Sequence, residues 1–236
     1  MKSFWSSFKA IFVKDILTEF RSKQVLPTMI VMGMLIVWIF RITAEAASID
    51  MTVLGPIALW IALLFSSIIA QEKSFATEQQ QDCISGLLLA VDADTIYISK
   101  LFVNNIMLCI FEIVIVPVVF FFFKLDLHGK WLTFIFVLLL GNLGISGVGT
   151  LFSAIVQLTR TKGSLLSIIV LVILMPMMIP AIFALLVLFG SIPEQLIGTG
   201  ALAFVGSFNN AIVYMCVFDA VFIVACWLLF GFVIKE

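Results

Sequence analysis

Charge is what this sequence has least of: 11% of its 236 residues are Asp, Glu, Lys or Arg, where a water-soluble domain carries about 25%. Histidine occurs once and tyrosine twice. That leaves almost no stock of imidazoles for acid–base catalysis. With 13 basic residues against 14 acidic ones there is no basic stripe to hold a nucleic acid. Cysteine is sparse and unpatterned. Cys83, Cys109, Cys216 and Cys226 form no C-x-x-C pair, which argues against a zinc site or covalent haem attachment. Three of the four lie in long apolar runs, where they read as small core residues. A nucleotide-binding loop is missing too. Thr159-Arg160-Thr161-Lys162-Gly163-Ser164 is the nearest fragment, and it lacks the leading glycine and the preceding strand. With no H-E-x-x-H and no G-x-S-x-G either, the chain is expected to be neither an enzyme nor a holder of a resident cofactor.

What fills the sequence instead is apolar. Hydrophobic residues make up 63% and the mean hydropathy is +1.26, far beyond the needs of a soluble core. The excess must face lipid. A helix needs about 20 apolar residues to cross the hydrocarbon, and six runs qualify: 25–42, 53–70, 96–123, 131–158, 165–189 and 208–234. The expected fold is all-α, a single polytopic membrane domain. Ala44-Glu45-Ala46 resembles a signal-peptidase site, but the apolar run before it is longer than the usual h-region of about 7 to 15 residues, so it is read as a span. With the N-terminus inside, only Arg41, Lys124 and Lys130 fall on the outer face, and the other ten of the 13 basic residues lie on the inner face. The positive-inside rule then places both termini in the cytoplasm.

Between and before the spans lie segments with their own patterns. Residues 1–24 place Phe4, Phe8, Ile11, Phe12, Ile16 and Phe20 on one helical face, with Lys2, Lys9, Lys14 and Arg21 mostly elsewhere. An amphipathic helix of that kind lies in the cytoplasmic interface plane, against lipid. The loop 71–95 is the one long cytoplasmic connection. Its polar stretch runs into Leu87, Leu88 and Leu89, an apolar tip that either docks on a partner protein or dips into the interface. The fourth span concentrates Gly141, Gly144, Ser146, Gly147, Gly149, Thr150 and Ser153, a packing face for another span or for a second copy of the chain. Pro176 and Pro180 sit in the middle of the fifth span, where each removes a donor; the resulting kink serves either a cavity or the helix shape alone. Residues 190–207 are too short to cross and read as an outer-face hairpin. Glu112 and Asp219 lie near the middle of the third and sixth spans, with no Lys or Arg at matching depth. Three readings stand for them: proton carriers, contacts to another subunit, or neutral acids hydrogen-bonded to neighbouring helices. His128 is the only imidazole and hence the only obvious axial ligand for a haem, while Met175, Met177 and Met178 cluster at the kink, where methionine is at least as often core filler.

The sum of these parts resembles the permease of ABC-2 type exporters, and particular residues narrow it. The opening Lys14-Asp15 with Glu19 and Arg21-Ser22-Lys23 is similar to the start of the CcmB family, the membrane subunit of the cytochrome c maturation haem exporter. So are Gly55-Pro56 with Trp60, Phe75 and Glu78, Gly86-Leu87-Leu88-Leu89 with Asp92, Tyr97 with Lys100, and Lys162-Gly163 with Leu165-Leu166-Ser167 leading to Pro176 and Pro180. Ser85 and Ala90 depart from the family pattern, which has an acid and a proline near those places. The resemblance implies a permease half in a bacterial inner membrane, with haem as its cargo. A separate ATPase, CcmA, would carry the ATP and dock on Phe75, Glu78, Asp82, Gly86 and Leu87 to Leu89. CcmC and CcmD would be further membrane partners. Two other classes remain open: a proton-coupled secondary transporter working through Glu112 and Asp219, and a scaffold that moves nothing.

Overall fold

The computed structural model describes residues 4–74, 91–158, 164–192 and 205–234. The described residues are helical, without strands. Helix α1 is Phe4–Ser22, α2 Val25–Ala46, α3 Met51–Ser74, α4 Ala93–Phe123, α5 Trp131–Leu158, α6 Ser164–Leu188 and α7 Phe208–Val233. Six of them, α2 to α7, are long and apolar enough to cross a membrane. Short polar residues start two of these helices. Asp50 accepts from the backbone N–H and the hydroxyl of Thr52 (2.9 and 2.8 Å), and Ser207 accepts from the Asn210 N–H at 3.2 Å. Between α4 and α5 the chain turns through residues in the left-handed region, Lys124, His128 and Gly129.

Burial sorts the helices into centre and periphery. Inside the span windows 67% of α3 and 61% of α5 is buried, against 28% of α2 and 22% of α7. The two outer helices turn Val31, Leu35, Trp38 and Ile39, or Val213, Val217, Val221 and Leu228, outward where lipid lies. Cys216 is also outward-facing, so it is not the core residue its apolar run suggested; in a bilayer a small apolar side chain is satisfied on either face. Cys226 is buried and Cys109 half-buried.

Helix α5 is the hub, because its glycines let neighbours approach on two sides. Gly141 and Gly149 meet α3, where an added methyl would overlap the Trp60 ring and the Gln71 carboxamide. Gly144 and Gly147 meet α7 at Asp219 and Ile223, and Gly144 also meets Met177 of α6. The small-residue face is thus used within the chain. A similar close approach joins α2 to α4, where Gly33 lies against Phe111 and Ile115.

At 31 residues α4 is about 46 Å long at 1.5 Å per residue, well beyond the hydrocarbon thickness of about 30 Å. Its first turns carry α1. Ile11 of α1 joins a small core with Ile96, Tyr97 and Leu101 of α4, Leu151 and Ala154 of α5, and Cys226 and Phe230 of α7.

Candidate functional site

A bilayer makes unpaired polar groups costly, so the polar side chains inside the bundle mark where function or specificity is concentrated. They gather between α4 and α5. Along α5, Asn142, Ser146, Thr150 and Ser153 follow helical spacing and are fully buried. Opposite them, Asn104 donates to the Thr150 hydroxyl at 2.9 Å, Thr150 donates to the Ser146 carbonyl at 2.7 Å, and the Tyr97 hydroxyl donates to the Gly147 carbonyl at 3.1 Å. Gln71, near the C-terminal end of α3, closes the seam: its Nε2 donates to the Ile145 carbonyl at 3.1 Å, and the Ser153 hydroxyl donates to the Gln71 carbonyl at 2.5 Å.

Glu112 ends this seam near mid-membrane. It is buried, it is hydrogen-bonded by the Asn142 side chain, and Asn142 also reaches the Cys109 sulfur at 3.9 Å. Its Oε1, the Asn142 Oδ1 and the Ser146 hydroxyl have no hydrogen-bond partner among the described residues. Asp219 lies on the other side of α5, buried against Gly144 and Met177, and neither of its carboxyl oxygens has such a partner. The two acids therefore occupy separate surroundings: one is set in a chain of amides and hydroxyls, the other among a thioether and a glycine. Neither α5 nor α6 contributes any ionisable residue.

The other expected site residues fall as follows. Pro176 and Pro180 both lie inside α6, which runs on through them; Pro180 is buried and Pro176 exposed. Met177 and Met178 are buried there, whereas Met175 points outward. His128 is exposed in the α4–α5 turn, its backbone N–H donating to Asp126 at 2.9 Å. No group of three or more His, Cys, Asp and Glu that could hold a metal occurs among the described residues. Phe75, Glu78, Asp82, Gly86 and Leu87 to Leu89 lie outside the described residues, as does most of the 190–207 hairpin. Of the segment 71–95, residues 71–74 belong to α3 and 93–95 to α4.

Several residues quoted for the resemblance turn out to hold helices together. Trp60 packs on Gly141, Gly55 fits against Phe123 and Leu125, and Tyr97 binds the Gly147 carbonyl. Asp15 and Lys100, far apart in sequence, form a buried ion pair with Nζ to Oδ2 at 3.3 Å. The family model described as CcmB protein matches residues 6–224, from α1 into the last helix. The chain belongs to the CcmB family. No match was found among curated proteins. Membership makes it a multi-pass membrane component of a haem exporter in cytochrome c maturation, and CcmB is a transporter subunit rather than a catalytic family.

Proposed function

We propose that this CcmB-family chain is the permease half of an ABC exporter of the bacterial inner membrane, driven by a separate ATPase subunit of the CcmA kind. The observation that carries the reading is the family match across α1 and the spans. The sequence supplies no nucleotide-binding loop of its own, so the energy for transport comes from a partner. The docking point is the segment after α3, with Phe75, Glu78, Asp82, Gly86 and Leu87 to Leu89 offering an apolar tip beside acids. CcmC and CcmD are the further membrane partners, a second copy of the chain completes the permease, and both termini are cytoplasmic. Haem is cargo here. The isolated subunit is expected to bind it weakly, because its one imidazole, His128, stands alone in an exposed turn.

Deleting the gene tests the assignment. Holo c-type cytochromes are expected to disappear while b-type cytochromes remain, and normal c-type haem staining in a strain without a second copy would reject the function. Replacing Leu87, Leu88 and Leu89 with Asp tests the drive. The ATPase is expected to be released from the solubilised complex while this chain stays in the membrane. Maturation that survives loss of the ATPase would favour a proton-coupled carrier, and maturation untouched by losing both Glu112 and Asp219 carboxyls would remove that alternative.

A further inference from the structure

Lys100 is 1% exposed and Asp15 is 7% exposed. A lysine near a membrane surface ordinarily extends its ammonium toward the headgroups, but this one is turned inward to an acid on another helix. Asp15 is held from two sides, by Lys14 at 2.9 Å and by Lys100 at 3.3 Å. Apolar contacts flank the pair: Phe8 meets Phe102 edge-on with centroids 6.0 Å apart, and Ile11 is buried one turn away. Tyr97, one turn before Lys100, packs its ring at a tilt against Phe230 of α7 (centroids 5.3 Å apart) while its hydroxyl holds the Gly147 carbonyl of α5. The chain enters this end of α4 directly from the segment that follows α3.

We propose that Asp15 and Lys100 are a positioning pair that makes α1 and the first turns of α4 one rigid body, the body through which a push on the segment after α3 reaches α5 and α7. Apolar contacts alone would let α1 slide along α4. A buried charge cannot leave its counter-charge without strong penalty, so the pair fixes the register of the two helices. Tyr97 then carries the displacement of that body to the glycine face of α5 and to the inner end of α7. The proposal rests on the ATPase-driven reading, and the deletion experiment above tests that reading separately.

The experiment uses the complex of this chain with its ATPase, in a strain lacking the chromosomal gene. Asp15→Asn and Lys100→Met are expected to lower holo c-type cytochrome by about tenfold or more, while the chain remains in the membrane and ATP turnover stays within about twofold of wild type. Combining Asp15→Lys with Lys100→Asp is expected to restore most of the lost cytochrome. A second arm covers a reversed pair that fails to reach the membrane. Asp15→Cys with Lys100→Cys, in a background with the native cysteines replaced, is expected to be defective until a bis-maleimide bridges the two positions, and then to recover. Wild-type cytochrome in both single variants would overturn the proposal, as would a bridge that abolishes rather than restores maturation.

Discussion

A glycine on α5 is worth what its neighbour would lose. Gly149 faces the Gln71 carboxamide, which cannot swing aside without giving up its bond to the Ile145 carbonyl. Gly149→Ala is therefore expected to cost about 1 to 3 kcal/mol, read as a lowered unfolding midpoint in detergent. Gly231 on α7 has nothing near the place a methyl would take, so Gly231→Ala is the control and should leave the midpoint unchanged. The buried acids make a second pair of predictions. Glu112→Gln keeps a group that Asn142 can bond, and Asp219→Asn adds donors where the carboxyl has no partner among the described residues. Both are expected to express and assemble; wild-type maturation in both would leave them structural. At this scale the sequence was readable where a residue was out of place by itself, as a carboxyl in an apolar run is. It was silent where the sense lay in a pair. Lys100 looks like an ordinary cytoplasmic lysine until α1 brings Asp15 to it, and Gln71 looks like the start of a loop until α5 supplies Ile145 and Ser153 as partners.

The spans as elements were legible because a bilayer imposes both their length and their composition. Their ends were not, since hydropathy stops at the first polar residue while a helix continues wherever that residue is satisfied: α3 runs past Ala70 through Gln71 to Ser74, and α2 runs past Ile42 to Ala46. The function of α5 as a hub was visible as a density of small residues, but not which helices it serves, because two faces of glycine interleave along one sequence. Helix α6 carries a prediction of its own. Pro176 and Pro180 leave the carbonyls of Val172 and Pro176 without their usual helix donors. Pro176→Ala supplies a donor to the first of these, and a raised unfolding midpoint is expected. If α6 bends during turnover, holo c-type cytochrome falls in the same variant, whereas a scaffold would keep it at the wild-type level.

The bundle as a whole has one orientation to test. A cysteine placed at Ser191, past the end of α6, is expected to react with an impermeant thiol reagent in intact cells, and Cys83 is expected to be protected; the reverse pattern would invert the topology. Family and six-span architecture were within reach of the sequence because the ordered motifs extend along nearly the whole chain, while the packing that uses those motifs joins residues far apart in sequence, as Trp60 with Gly141 and Gln71 with Gly149. One feature of that packing bears on energetics beyond stability. The helices at and beside the centre, α5 and α6, have no ionisable side chains, and the only Asp, Glu, Lys, Arg or His residues in the span interiors are Glu112 and Asp219. The electric field across the membrane therefore has almost nothing to pull on. A full elementary charge crossing it exchanges about 2.3 kcal/mol per 100 mV, and an ionised carboxyl moved from mid-depth to either face exchanges roughly half of that. With both acids replaced by amides, the rearrangement of the span interiors is expected to lose most of its sensitivity to voltage.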